Sequence, residues 1–132
     1  MLVQREGMRE KPYEDTTGHL TIGVGRNLDS IGLSHDEIYY MLKNDIRRCE
    51  DELTNAFRWF KYLDDVRQHA MINLCFNLGI TRLRKFKKAL AAMETDDFEE
   101  AADEFLDSKW AQQVGSRAMD VTYLIRFGEY YA

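Results

Sequence analysis

The chain has 132 residues, 45% of them apolar, enough for one domain with a real core; 23 acidic against 18 basic side chains leave a net charge of −5. That balance argues against nucleic acid as a partner, which would call for a basic surface. No apolar run approaches the roughly 18 residues that a membrane-spanning helix needs, and the amino end lacks the basic-then-apolar pattern of a secretory signal, so neither insertion nor export is expected.

Met1 to Glu10 reads as a short helix that closes before Lys11-Pro12, because the residue before a proline is pushed out of the α region. On it Leu2, Val3 and Glu6 stand at i, i+1 and i+4, which leans the carboxyl on two apolar side chains. A carboxyl that loses hydration holds its proton more readily and can serve as a general acid. The helix dipole and the nearby α-amino group act in the opposite sense.

Tyr13 to Leu28 reads as a hairpin sheet. Thr16-Thr17-Gly18 can turn, and Leu20, Ile22 and Val24 then alternate with Thr21, Gly23 and Gly25. This alternation predicts an apolar face and an opposite, open face carrying Thr21 and the two glycines, with His19 directed the same way. Asp15, at the hairpin edge beside Thr16 and Thr17, is expected to stay ionised. Two carboxyls in unlike environments are what glycosidic bond cleavage requires: one protonates the leaving oxygen, the other activates water or attacks. Asn27 to Gly32 follows as a loop.

Ser34 and Glu37 have the spacing of a capping box, and Ile38, Met41, Leu42, Ile46, Cys49 and Leu53 then recur at helical intervals, predicting a helix over residues 34–56. Phe57, Trp59, Phe60, Tyr62 and Leu63 form an aromatic cluster, read as core or as a sugar-stacking platform. Asp64 or Asp65 can cap the next helix, which runs to Leu78 and stops at Gly79. Three further helices are read over residues 82–93, 96–106 and 116–127, with Trp110 in the core. Residues 81–88 carry five positive charges and no negative one, and residues 94–107 carry eight negative and no positive. The first run reads as a solvated loop or as a basic patch for anionic wall polymers, the second as a solvated helix face. Cys49 and Cys75 lack any zinc or redox spacing, and the three histidines are scattered, so no metal or cofactor is expected.

Glu6, Asp15 and Thr21, followed by Ile22-Gly23-Val24-Gly25, resemble the active-site signature of the phage-type lysozymes, glycoside hydrolase family 24. The segments Leu63-Asp64-Asp65-Val66-Arg67, Ile72 to Gly79, Ser108-Lys109-Trp110 and Arg117-Ala118 resemble the family's central helix and C-terminal region, in the family's order. The resemblance implies a predominantly helical α+β fold: a small hairpin lobe (13–33), a connecting helix (34–56), and a helical lobe (57–132) on which a helix over residues 1–11 packs. It implies cleavage of the β-1,4 bond between N-acetylmuramic acid and N-acetylglucosamine in peptidoglycan strands by a monomer. Glu6 would be the general acid, Asp15 would position or activate the water, and Thr21 would help to hold it. Asn27, Phe76, Asn77 and Arg117 would bind the glycan, with Arg117 near the catalytic glutamate. An inverting course is expected. The setting implied is host lysis from the cytoplasm once the membrane is breached, or a wall-digesting domain of a virion or tail protein. A non-catalytic wall-binding module would be marked by loss of Glu6 or Asp15, and both are present. Two departures stand out: the small lobe is short after Gly25, and Arg26 stands where the family commonly has histidine. A shallower cleft with fewer sugar contacts is expected.

Overall fold

The computed structural model describes residues 1–130. The chain divides into two compact units, Met1–Leu42 and Lys43–Ala132.

The first unit opens with a helix α1 (Leu2–Glu6) of five residues, shorter than expected. Gly7 ends it, not Lys11-Pro12. With φ +74° the glycine leaves the helical region while its N–H still reaches the Val3 carbonyl at 2.8 Å. Strand β1 (Arg9–Glu14) follows at once and pairs antiparallel with β2 (Leu20–Gly23), which pairs antiparallel with β3 (Arg26–Asn27). Pro12 thus sits inside a strand. It is tolerated because β1 is an edge, and because the pairing is irregular between Arg9, opposite Gly23, and Tyr13, opposite Thr21.

The faces of β2 are the reverse of those the alternation predicts. Thr21 is the buried position, at 3% exposure, whereas Leu20 and Val24 are exposed. Thr21 lies on the central strand with Tyr13 on one side and Asn27 on the other. Its hydroxyl donates to the His19 carbonyl at 2.9 Å, so its burial leaves that donor satisfied.

Helix α2 (His35–Ala56) starts at the expected capping box. The Ser34 N–H donates to the Glu37 carboxylate at 2.9 Å, and the Glu37 N–H donates to the Ser34 hydroxyl at 3.2 Å. The apolar stripe of this helix is buried only towards its end, at Cys49 and Leu53; Ile38, Met41, Leu42 and Ile46 keep substantial exposure.

The second unit is helical. A short 3-10 turn (Phe60–Tyr62) leads to α3 (Asp65–Leu78), capped by the Asp64 carboxylate, which accepts from the Arg67 N–H at 3.1 Å. Then come α4 (Ile80–Leu83), α5 (Lys87–Glu94), α6 (Phe98–Leu106), α7 (Lys109–Val114) and α8 (Ser116–Phe127). The helix expected over 82–93 is therefore two helices, and α7 was not foreseen. Helix α8 packs against α3, α6 and α7, and α6 packs against α5. Leu53, Met71, Leu74, Leu83, Met93, Phe105 and Ile125 are fully buried in the core, with Trp110 among its other members. Arg67 ties α3 to the end of α8: its guanidinium donates to the carbonyls of Ile125 at 2.6 Å and Arg126 at 3.1 Å, and stacks 3.7 Å from the Phe98 ring centroid. No helix among the described residues is long and apolar enough to cross a membrane.

Candidate active site

Four of the seven residues picked from the sequence lie in the first unit. Glu6 ends α1, and its carboxyl rests on Gly25 at the end of the Thr21–Gly25 segment. A Cβ added at Gly25 would lie 2.7 Å from Glu6 Oε2, and Gly25 also holds φ +67°. This glycine is required twice, for its backbone and for the space it gives the carboxyl. The apolar bed expected from Leu2 and Val3 is not there, since both are exposed, as is Glu6. A helix of five residues presents them outward; Gly25, not an apolar side chain, is the surface that Glu6 lies against.

Asp15 begins the turn between β1 and β2. Its N–H donates to the His19 carbonyl at 2.9 Å, and Gly18, at φ +82°, closes the turn by donating to the Asp15 carbonyl at 3.0 Å. Three further donors converge on one carboxylate oxygen, Oδ1: the Thr17 N–H at 2.9 Å, the Thr17 hydroxyl at 2.8 Å and the His19 N–H at 2.9 Å. These bonds, that of His19 first and then that of the Thr17 hydroxyl, hold the Asp15 carboxyl below the ordinary carboxylate range. Asp15 is therefore ionised at neutral pH, as expected. Oδ2 accepts none of these three bonds. The Thr17 hydroxyl gives its hydrogen to Asp15, so at 2.7 Å from His19 Nδ1 it acts as acceptor, and that ring nitrogen carries the proton.

Asn27 stands opposite Thr21, but its side-chain oxygen caps the following loop, accepting from the N–H groups of Asp29 at 3.0 Å and Ser30 at 3.1 Å. Arg26 donates to the Gly32 carbonyl at 3.4 Å and forms an ion pair with Glu37. That pair, with the Ser34 bonds, lowers the Glu37 carboxyl to about 2. Arg26 thus fastens β3 to the start of α2.

Phe76, Asn77 and Arg117 lie in the second unit. Phe76 is exposed on α3. Asn73 and Asn77 stand one turn apart on the same helix; Asn73 is half-buried and Asn77 exposed. Each accepts a side-chain hydrogen bond from a distant residue. Asn77 Oδ1 accepts from the indole of Trp110 at 2.8 Å, and Asn73 Oδ1 accepts from Arg117 at 3.3 Å. Trp110 is core, as expected. Of the aromatic cluster, Phe57 and Trp59 stack at 5.0 Å, both partly buried against the core.

The basic run lines a cleft of about 320 Å³ with Lys85, Lys87 and Lys88, but Glu104, Asp107 and Ser108 line it too, so its charge is mixed. The acidic run is partly paired: Glu99 and Asp103 bind Arg126 at 2.6 and 2.7 Å.

Several residues with clear roles were not singled out by sequence reasoning. Thr17 is the main one. A threonine two residues after an aspartate is the signature of a side-chain-closed turn, and that signal was available. The seat that Gly25 gives Glu6 leaves no such signature, because it depends on how α1 meets the sheet.

The family model described as "Phage lysozyme" matches residues 3–123. The chain is 28% identical to the "Probable T4-type lysozyme 1" of Dictyostelium discoideum over 97% of its own length and 92% of that protein's. A second Dictyostelium protein, "Probable T4-type lysozyme 2", is 27% identical with the same coverage. The chain is also 28% identical to the "Pre-baseplate central spike protein Gp5" of Enterobacteria phage T4, of which it spans 27%.

Proposed function

The chain belongs to the phage lysozyme family, glycoside hydrolases that cleave peptidoglycan, and on that premise we propose that Glu6, Asp15 and Thr21 carry out the hydrolysis. The bond cut is the β-1,4 link from N-acetylmuramic acid to N-acetylglucosamine. Glu6, as general acid, gives a proton to the leaving glycosidic oxygen as the bond to the anomeric carbon breaks. A water attacks that carbon from the opposite face, and Asp15 takes its proton. The observation that carries this reading is the clamp on Asp15. Three donors hold Oδ1, so Oδ2 is the oxygen left to receive the water's proton, on a carboxylate whose orientation is fixed. Thr21 gives its hydroxyl hydrogen to His19, so it can only accept, and it orients the water by taking one of its O–H groups.

The same reading makes the reaction inverting. Phe76, Asn77, Asn27 and Arg117 contribute to glycan binding; Asn77 would do so through its amide N–H groups, its oxygen being held by Trp110. The protein acts as a monomer on the cell wall after the host membrane has been breached. A second setting, a wall-digesting domain within a virion protein, is favoured by the likeness to the phage T4 spike protein.

The test is the anomeric configuration of the first product formed from a defined glycan strand, followed by NMR. An initial α-anomer supports the reading. An initial β-anomer would make Asp15 the nucleophile and overturn the water-activating role.

A further inference from the structure

A second cluster of reactive groups lies in the second unit, away from the proposed catalytic residues in sequence and role. Cys49 and Glu52 stand one turn apart on α2, and Cys75 faces them from α3. The two sulfurs and a Glu52 carboxylate oxygen all lie within 4.8 Å of one another. Both thiols are 2% exposed and neither is in a disulfide; Glu52 is half-buried and marks the side open to solvent. We propose that Cys49, Cys75 and Glu52 bind one thiophilic divalent cation of the zinc–cadmium class, with the fourth coordination position left to water on the Glu52 side.

The geometry fits. A point equidistant from three atoms 4.8 Å apart lies about 2.8 Å from each, so shifts of about half an ångström bring all three near the ~2.3 Å and ~2.0–2.2 Å bond lengths of zinc to sulfur and carboxylate. The donor set selects the ion: two thiolates favour a soft cation over magnesium or calcium. The charge is nearly balanced. Two thiolates and a carboxylate around a divalent ion leave one negative charge; the Arg48 guanidinium, which donates to Asp45 at 2.9 Å and lies 3.9 Å from Glu52 Oε1, too long for a hydrogen bond, offsets part of it. On binding, each thiol releases its proton to solvent as its sulfur bonds the metal, so two protons leave per ion.

The test uses the reduced, chelator-free full chain titrated with Cd2+ and read by the sulfur-to-cadmium charge-transfer absorption, with Zn2+ as competitor. One Cd2+ per chain, displaced by Zn2+ and accompanied by two protons released, is expected. Cys75→Ser should abolish the band. Glu52→Gln, at a half-buried position, should keep the fold by circular dichroism and weaken binding at least tenfold, since losing even an outer-shell partner costs about 10–100-fold. Absence of the band in the folded wild type, or binding unchanged in both variants, would overturn the site. So would formation of a Cys49–Cys75 disulfide with oxidised glutathione in a chain that gives no cadmium band, which would assign the pair to redox chemistry instead.

Discussion

Replacing Gly25 with alanine tests how Glu6 is held. The new methyl would stand 2.7 Å from Glu6 Oε2, 3.0 Å from Cδ and 3.2 Å from Cγ, where ordinary contact begins at 3.4 Å. The carboxyl must therefore retreat by about 0.7 Å or swing away, because the obstacle is a backbone-fixed Cβ. The left-handed backbone, at φ +67°, adds about 1–2 kcal/mol of strain for any residue with a Cβ. A displacement of about 1 Å of a reacting group costs on the order of 10²-fold in rate. Gly25→Ala should thus lose about 1–2 kcal/mol in urea unfolding and about 10²-fold in the release of reducing ends from purified peptidoglycan. Gly32→Ala is the control. It carries a similar backbone strain at φ +65°, but its Cβ meets only the Leu28 carbonyl at 3.8 Å, so it should lose stability and keep activity. Wild-type turnover in Gly25→Ala would refute the seating of Glu6 against this glycine.

Three further outcomes are expected. Thr17→Val removes a hydroxyl that lowers the Asp15 carboxyl, so Asp15 should titrate higher and the acid limb of the pH–rate profile should move to higher pH; an unmoved limb would mean that Asp15 does not govern it. Glu37 titrates at about 2 in the folded chain, below its ordinary value of 4.5, so its contribution to stability is full above that ordinary value and is lost as pH falls towards 2. Arg26→Met should therefore flatten the pH dependence of urea midpoints across that window, whereas an unchanged slope would remove Arg26 as its cause. Asp64→Ala deletes the cap of α3 and should lower stability by about 1 kcal/mol, and at most about 2, in the same unfolding assay.

Elements set by local chemistry were legible in the sequence. The Ser34–Glu37 box starts α2 within one residue of the expected position, and Asp64 and Gly79 bound α3 as read. The clamp on Asp15 follows from neighbours within four residues, so its ionised state could be foreseen. What depended on tertiary placement was misread. Apolar alternation alone puts Thr21 on an open face, yet in the sheet Thr21 is the buried residue of β2 and its neighbour Leu20 is exposed. Pro12 was read as a helix stop because an edge strand that tolerates it is a property of the sheet, not of its neighbours. The bond of Asn77 to Trp110, 33 residues on, has no local signature. The meeting of Cys49 and Cys75 is likewise a contact between helices that spacing could not reveal.

The most direct measurement is single-turnover release of reducing ends from purified peptidoglycan by the wild type, Glu6→Gln and Asp15→Asn, with binding to the same material recorded beside it. If Glu6 gives the proton and Asp15 receives it, each variant should bind like the wild type and lose about 10²-fold or more in the cleavage step. Cleavage at the wild-type rate by either variant would contradict the assignment of that residue.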